Sequence, residues 1–265
     1  MNTQIAPNCT VAYDDAGKGK PLVLLHGFPL ARGMWRTQVD SLKSICRCLV
    51  PDLRGFGGTN GFRGTPSIEQ MADDVHALLD QLHVEEPITL GGLSMGGYVA
   101  LAVARKHAAR LRALILADTR AEADTPEAKT NRDKMIAFAQ THSAAEVIEQ
   151  LLPNMVSDET RENEPEVVEE IRRLAAQQTT AGIIAALAAL RDRSDATPTL
   201  GQIRVPTLVL VGRDDKLTPP ALAQNLVNGI RGAKLATIPA AGHLSNMEQP
   251  DIFNDAVRSF LRGLP

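Results

Sequence analysis

The sequence predicts an α/β fold, with a mostly parallel central sheet, helices on both faces and an inserted helical cap. Short apolar runs of strand length alternate with longer amphipathic segments, a pattern that favours a parallel sheet covered on both sides. From 120 to 200 only helical patterns occur, and the strand pattern then resumes near Val205. At 265 residues the chain can form one domain with a full core. We expect a core formed by 1–119 and 201–265, and a cap formed by 120–200.

Six apolar runs are predicted to be strands, mostly buried on both faces. In chain order they are 22–25, 46–50, 88–90, 111–116, 207–211 and 233–238. Residues 11–13 precede them and are expected to form an antiparallel strand at the edge of the sheet.

Helical patterns fill the intervals between these runs. Ser67 and Gln70 have the spacing of a capping box, and the segment behind them places an apolar stripe on one helix face. The members of that stripe are Met71, Val75, Leu78, Leu79 and Leu82. Within the cap, the stretches 144–152, 165–178 and 182–191 are rich in helix-forming residues and are predicted to be helices.

Composition narrows the classes of function. The formal net charge is −3 with mixed signs, so no basic stripe indicates nucleic acid or an anionic membrane as a partner. The first residues lack the features of a signal peptide and no apolar run could span a bilayer, which predicts a cytoplasmic protein. Cys9, Cys46 and Cys48 have no metal-like spacing and an odd count, so we expect buried thiols rather than disulfides.

The segment Gly92-Leu93-Ser94-Met95-Gly96 follows a predicted strand and leads directly into a helical segment. A serine between glycines at a strand-to-helix turn is typical of a nucleophile elbow, in which a strained backbone exposes the hydroxyl. Gly92 and Gly96 would leave room for the tight approach of neighbouring backbone. The alternative interpretation is a glycine-rich turn that matters only for packing.

A serine nucleophile needs a base within hydrogen-bond reach and a third group that orients this base. His243 is the best candidate for the base, because it lies in a loop after the last predicted strand. Asp215 follows the preceding strand and is our choice for the acid, with Asp214 and Asp118 as rivals. The chain order serine, acid, histidine is the one that accompanies a G-x-S-x-G motif.

From about Val11 to Leu264 the chain resembles the α/β-hydrolase superfamily. It is most similar to the branch of cofactor-free serine esterases, enol-lactonases and metal-free haloperoxidases. The resemblance rests on five motifs in order, namely His-Gly-Phe-Pro at 26–29, Asp-Leu-Arg-Gly-Phe-Gly at 52–57, the elbow at 92–97, Gly-Arg-Asp-Asp at 212–215, and Gly-His at 242–243 followed by Glu-Gln-Pro at 248–250. It favours Asp215 over Asp214 as the acid. In similar proteins the acid sometimes follows the previous strand, so Asp118 remains an alternative candidate for the acid.

The resemblance implies an oxyanion hole formed by the main-chain N–H groups of Phe28 and Met95. The position of Met95 at the start of a helix agrees with this, because the first N–H groups of a helix are unpaired and favour negative charge. His26 is then expected to hold the loop that carries Phe28, and not to act as a second base. The implied reaction is acyl transfer in two steps, with no cofactor and no metal.

An apolar substrate pocket is predicted from residues of the loops and the cap. The candidates are Phe28, Leu30, Trp35, Leu152, Met155 and Leu217, although such residues are also typical of an ordinary core. They favour a small-molecule partner, a weakly polar carboxylic ester. Assembly of the chain into a homo-oligomer stays open.

Three other functions remain alternatives. An enol-lactonase would use the same machinery on a cyclic ester that bears carboxylates, with Arg132, Arg172 or Arg191 as the cationic residue in the cap. A metal-free haloperoxidase or perhydrolase is suggested by Pro29, since a proline beside the oxyanion loop accompanies the use of peroxide in the enzymes that this chain resembles. A ligand receptor of slow turnover on the same fold belongs to a different class.

Overall fold

The structure of the chain is a computed structural model that describes residues 1–60, 64 and 66–265. Its architecture is built on one sheet of eight strands. The strands are β1 (Asn2–Ala6), β2 (Cys9–Ala16), β3 (Pro21–Leu25), β4 (Arg47–Pro51), β5 (Ile88–Leu93), β6 (Leu111–Ala117), β7 (Thr207–Gly212) and β8 (Lys234–Ile238). Their order across the sheet is β1-β2-β4-β3-β5-β6-β7-β8. β1 and β2 pair antiparallel, as do β2 and β4, and the remaining neighbours are parallel.

The edges of the sheet differ from the prediction. β2 is antiparallel as expected, but it is not an edge strand, because β1 pairs with its outer side through Asn2 opposite Ala12 and Thr3 opposite Val11. β1 was missed because its residues are mostly polar and alternate between exposed and half-buried, so no apolar run marks it. At the other edge, β8 is largely exposed and only Ile238 is buried.

Helices cover both faces of the sheet outside the insertion. They are α1 (Arg36–Leu42), α2 (Ile68–Gln81), α3 (Met95–Lys106), α9 (Pro220–Gly229), α10 (Ser245–Glu248) and α11 (Pro250–Arg262); the labels α4 to α8 belong to the insertion described below. Because side chains alternate along a strand, Val23 and Leu25 of β3 enter one apolar cluster, with α2, α3 and α9. Leu22 and Leu24 enter a second cluster, with α1 and α11.

The start of α2 differs from the predicted capping box. Ser67 Oγ accepts a hydrogen bond from the Gln70 N–H at 3.0 Å, as an N-cap does. The Gln70 side chain, however, donates to Asp74 Oδ1 at 3.4 Å, so the reciprocal half of the box is missing. The predicted apolar face is buried as far as Leu79, and Leu82 lies half-buried just beyond the helix.

Five α-helices, a short 3-10 helix at Thr197–Gln202 and no strand occupy the chain between β6 and β7, a stretch whose residues are all described. The α-helices are α4 (Pro126–Ala139), α5 (Ala144–Met155), α6 (Asp158–Asn163), α7 (Pro165–Ala176) and α8 (Thr180–Asp192). We refer to residues 120–200 as the cap. α5, α7 and α8 coincide with the three predicted helical stretches. α4 was not predicted, since only Ala139 of that helix is fully buried and its apolar periodicity is weak.

Among the described residues, no helix is long and apolar enough to cross a membrane. No group of three or more histidine, cysteine or acidic side chains in that part of the chain is placed to hold a metal ion. All three cysteines are free and buried, Cys9 in β2, Cys48 in β4 and Cys46 just before β4.

Candidate active site

Ser94 occupies the turn between β5 and α3 with a backbone conformation that is rare for a residue with a side chain, φ 53° and ψ −112°. The neighbouring strand stabilises this conformation, because the Ser94 N–H donates to the Ala117 carbonyl at 2.9 Å. The tightness of the turn requires glycine on both sides. A Cβ atom on Gly92 would lie 2.1 Å from the Gly96 carbonyl oxygen, and one on Gly96 would lie 2.2 Å from that of Leu25. The motif therefore forms a strained elbow that presents the serine hydroxyl.

His243 lies in the loop between β8 and α10 and contacts the serine. Its Nε2 is 2.8 Å from Ser94 Oγ, within hydrogen-bond distance. The cap helps to hold this loop, because the His243 N–H donates to the Met155 carbonyl at 3.1 Å. The His243 side chain is 4% exposed, so its charge depends on the groups packed around it.

Asp215 lies in the turn after β7 and contacts the other nitrogen of the imidazole. Its Oδ2 is 2.9 Å from His243 Nδ1 and accepts a second hydrogen bond from Thr218 Oγ1 at 2.6 Å. Its Oδ1 accepts from the N–H groups of Leu217 and Thr218, both at 2.8 Å. The carboxylate is thus oriented from both sides, and it points at the nitrogen whose proton fixes the tautomer of the base.

The two rival carboxylates do not contact His243. Asp214 is exposed at the surface of the same turn. Asp118 follows β6 and is fully buried, but its oxygens accept from the Gly212 N–H at 2.8 Å and from Ser245 Oγ at 2.5 Å. Burial and the negative charge of Asp215 raise the pKa of Asp118 well above its usual value. Asp118 therefore links the end of β7 to the start of α10 and does not contact the imidazole.

The charges of Asp215 and His243 stabilise each other. Burial raises the pKa of Asp215, but the charge and hydrogen bond of His243 and the hydrogen bonds from Thr218 outweigh it, and the net pKa is lowered. Burial lowers the pKa of His243, but the charge and hydrogen bond of Asp215 outweigh it, and the net pKa is raised. The site thus favours a charged aspartate and stabilises a protonated histidine.

The two N–H groups predicted to form the oxyanion hole, those of Phe28 and Met95, belong to segments that lie close to Ser94. Met95 is the first residue of α3, and the Phe28 loop passes close to the elbow, since a Cβ atom on Gly27 would lie 3.6 Å from Ser94 Cβ. Within the described part of the chain, neither N–H donates to another group of the protein.

His26 is fully buried and joins two loops. Its Nε2 accepts a hydrogen bond from the Leu53 N–H at 2.9 Å, so the proton lies on Nδ1, which is 3.0 Å from the Gly27 carbonyl oxygen. Burial lowers the pKa of His26 and keeps the ring neutral. The ring therefore ties the His-Gly-Phe-Pro loop to the loop after β4.

A cavity of about 330 Å³ opens above Ser94 and His243 between the sheet edge and the cap. Of the residues predicted for the pocket, Phe28, Met155 and Leu217 line it. Leu30, Trp35 and Leu152 do not line it; they are buried in the second apolar cluster, where Trp35 packs against Phe253. The periodicity of a buried helix or loop does not distinguish a residue that faces a cavity from one that faces the core.

Several lining residues were not predicted from the sequence, among them Tyr98 and the polar group Arg120, Asp124 and Asn131. One wall of the cavity is formed by Ala128, Arg132 and Met135 of α4. Their spacing is a signal that could have predicted this wall from the sequence, because residues three or four apart share a helix face. Of the three cap arginines considered from the sequence, only Arg132 reaches the cavity. Arg172 and Arg191 form ion pairs on the cap surface with Glu149 and Asp133.

Comparison with known proteins gives one consistent family. Residues 22–256 match the sequence model of the Alpha/beta hydrolase family. The AB hydrolase superfamily protein YisY of Bacillus subtilis (strain 168) is 32% identical over 263 residues, which are 95% of each chain. A thermophilic esterase from Thermogutta terrifontis, solved with malate bound, superposes with a TM-score of 0.94 at 42% identity over 97% of this chain and 94% of that one. The enol-lactonase from Burkholderia xenovorans LB400 superposes with a TM-score of 0.91 at 30% identity over 98% and 99%.

Proposed function

The chain belongs to the alpha/beta hydrolase family, and on that premise we propose that it is a serine hydrolase that cleaves small carboxylic esters through an acyl-enzyme intermediate. The observation that carries this proposal is the continuous contact from Ser94 Oγ through the His243 imidazole to the Asp215 carboxylate, at 2.8 and 2.9 Å. Ser94 and His243 line a mostly apolar cavity that suits a small ester. The similarity to an esterase at 42% identity supports the same conclusion.

In the first half of the proposed reaction, Ser94 Oγ attacks the ester carbonyl while His243 Nε2 accepts the hydroxyl proton. The carbonyl oxygen becomes an oxyanion, which the N–H groups of Phe28 and Met95 stabilise. Removal of one such donor typically costs about 3–4 kcal/mol of transition-state stabilisation. The protonated His243, stabilised by Asp215, then gives its proton to the departing alcohol, and the acyl group stays on Ser94.

The second half repeats these steps with water. His243 takes a proton from a water molecule that attacks the acyl carbonyl, and the tetrahedral intermediate uses the same two N–H donors. Collapse of this intermediate returns the proton to Ser94 Oγ and releases the carboxylic acid. Each proton transfer thus passes through Nε2, while Asp215 keeps Nδ1 protonated throughout.

The decisive experiment compares Ser94→Ala with wild type on a panel of short p-nitrophenyl esters. We expect Ser94→Ala to keep its fold and to lose roughly four orders of magnitude in kcat, as for loss of a triad nucleophile. Ser259→Ala, at an exposed serine of α11, is the matched control and should behave as wild type. Mass spectrometry after treatment with a fluorophosphonate should find the label on Ser94 alone. A variant Ser94→Ala that retains a tenth of the activity would contradict the proposal.

The time course of the same assay separates an enzyme from a receptor. Steady release of p-nitrophenol over many turnovers supports the enzyme, because the acyl group is removed by water after each cycle. A single burst equal to the protein concentration, with no further release, would indicate a receptor of slow turnover and would contradict the proposed hydrolase.

Opening of a lactone is a second candidate for the same site. A lactone is a cyclic ester, so the attack, the oxyanion and the proton transfers are unchanged, and the leaving alcohol stays attached to the acyl group. The similarity to an enol-lactonase at 30% identity over nearly the whole chain supports this candidate. A comparison of kcat/KM for a small lactone and for an open-chain ester of the same size decides between them.

A further inference from the structure

At one wall of the cavity, three arginines surround a single buried carboxylate, Asp124, and two of them, Arg120 and Arg132, line the cavity itself. Asp124 Oδ1 accepts from Arg193 Nη1 at 2.7 Å and from Arg120 Nη2 at 2.6 Å, while its Oδ2 accepts from Arg132 Nε at 3.1 Å. We call these four residues the arginine cluster. Burial raises the pKa of Asp124, but the charges of Arg193 and Arg132 outweigh it and the net pKa is lowered, so the carboxylate stays ionised. The cluster therefore has three positive charges and one negative charge.

Arg193 is the structural partner of Asp124. Its side chain is 2% exposed, and it also donates to the main-chain oxygens of Leu190 and Glu122, at 2.7 and 2.8 Å. Its guanidinium lies 4.2 Å from the centre of the Tyr98 ring. These contacts use most of the donors of Arg193, and its charge offsets that of Asp124.

Arg120 and Arg132 are then in excess, and both line the cavity that contains Ser94 and His243. Among the described residues, Asp124 is the only acidic side chain that pairs with either of them. Neither terminal nitrogen of Arg132 donates to protein in that part of the chain, and Arg120 uses Nη2 for Asp124 while its Nη1 has no protein acceptor there. Side chains that are only 19% and 26% exposed thus hold uncompensated charge and free N–H donors against the substrate cavity.

Uncompensated guanidinium groups in a partly buried cavity favour an anion, and their planar fork suits a carboxylate. Most other walls of the cavity are apolar, with Leu151, Leu187 and Leu190 as examples. A ligand with an apolar chain and one anionic end fits both features. The serine and the arginines line one cavity, so a single molecule could present its ester to the first and its anion to the second.

We propose that Arg120 and Arg132 bind a carboxylate of the substrate, and that the preferred substrates are esters with a second, ionised carboxyl group, such as monoesters of dicarboxylic acids. This inference rests on the proposed function, because it names the substrate class of the same site. The ester carbonyl lies at Ser94, and the distal carboxylate accepts hydrogen bonds from the two guanidinium groups.

The first test measures binding without turnover, in the Ser94→Ala variant. The ligands are monoethyl adipate, which carries a terminal carboxylate, and its neutral terminal amide, ethyl adipamate, which has nearly the same size. By isothermal titration calorimetry we expect the anion to bind at least about tenfold more tightly, since a hydrogen bond to a charged group is worth enough for this factor. The preference should shrink in 0.5 M sodium chloride. Equal binding of the two ligands would overturn the inference.

The second test measures the ratio of kcat/KM for the same two esters by titration of the released acid. We expect Arg132→Gln and Arg120→Gln each to lower this ratio at least fivefold, and Arg132→Lys to lower it less because it keeps the charge. Arg172→Gln is the matched control, since Arg172 is a cap arginine that pairs with Glu149 and Glu169 on the surface. It should leave the ratio at the wild-type value. An unchanged ratio in both cavity variants would overturn the inference.

The two tests separate this inference from the proposed function. Hydrolysis of both esters at equal kcat/KM would refute carboxylate recognition and leave the serine hydrolase standing. Tighter binding of the anion, lost in Arg132→Gln, would support carboxylate recognition even if no ester were hydrolysed.

Discussion

At the scale of single residues, four hydrogen-bond donors hold the Asp215 carboxylate, and one of them is the imidazole of His243. The other three come from the turn itself, from Leu217 and Thr218, so the acid keeps its orientation before any substrate arrives. Asp118 is as deeply buried, yet its partners are the main chain of Gly212 and the hydroxyl of Ser245. Position relative to the imidazole, and not burial, distinguishes the two aspartates.

This difference predicts how substitutions of the three aspartates rank. Asp215→Asn should lower kcat by roughly four orders of magnitude, because the amide no longer favours the reactive tautomer or stabilises the charged imidazole. Asp214→Asn, adjacent in the chain and exposed, is the matched control and should be mild, as should Asp118→Asn. Steady-state kinetics on one p-nitrophenyl ester measures all three. A larger loss for Asp118→Asn than for Asp215→Asn would move the acid to the end of β6.

The raised pKa of His243 predicts the pH dependence of the reaction. Only the neutral imidazole can accept the serine proton, and the raised pKa means that protonation begins at a higher pH than in an ordinary histidine. The charges of Asp215, Asp118 and Glu248 all contribute to this rise. We expect kcat/KM to fall on acidification with a midpoint above about 6.5, the reference value for histidine. A midpoint below that value in a pH series from 4 to 9 would contradict this assignment.

At the scale of elements, the loop that carries His243 is clamped to the cap through Glu248 of α10. Glu248 Oε1 accepts from the N–H groups of Gly242 and Leu244, the two neighbours of the histidine, at 2.9 and 3.1 Å. Its Oε2 accepts from the Ser157 N–H and from Thr160 Oγ1, both at 2.8 Å, at the start of α6. One carboxylate, 4% exposed, thus joins the histidine loop to the cap.

We therefore expect Glu248→Gln to affect both stability and rate. The glutamine side chain has no charge and only one oxygen, so it cannot accept all four hydrogen bonds that Glu248 accepts. The free energy of unfolding should therefore fall by about 2–4 kcal/mol. A less firmly held His243 should lower kcat by about tenfold to a hundredfold, with a smaller change in KM. Because the charge of Glu248 raises the pKa of His243, the acid limb of the pH profile should move to lower pH.

Chemical denaturation and a pH series of kcat/KM measure these effects. Glu159→Gln provides the matched control, since Glu159 is exposed on α6 beside the same contact. It should change neither stability nor rate. A merely structural role for Glu248 would lower stability and leave the acid limb where it is in wild type, and that result would contradict the positioning role.

At the scale of the whole molecule, the site lies where the carboxyl ends of the parallel strands meet. Phe28 follows β3, Ser94 follows β5, Asp215 follows β7 and His243 follows β8. In a parallel sheet these ends share one edge, which is where ligands bind in open α/β sheets. Arg120, Asp124 and Arg132 of the cap line the cavity at this edge, so the catalytic residues that we propose, Ser94 and His243, and the anion-binding arginines that we propose share one cavity.

Much of this architecture is readable from local sequence. The fold class follows from the alternation of apolar runs and amphipathic helices, because burial on both faces of a strand leaves a continuous apolar run. The elbow is marked by its glycines, since backbone atoms approach Gly92 and Gly96 too closely for a side chain. The order of Ser94, Asp215 and His243 nominates the candidate residues. Each apolar run and the elbow are marked within a few residues, whereas the order of the three candidate residues is read along the whole chain.

Other features depend on which distant residues meet in space, and only the tertiary structure decides them. The polar strand β1 becomes the edge because β2 offers it a free row of hydrogen-bonding groups, not because of its own pattern. Trp35 packs in the core against Phe253, whereas Arg132 reaches the cavity and Arg172 does not. A local pattern sets the face of an element on which a side chain lies, but long-range packing decides whether that face meets the core, the solvent or the substrate.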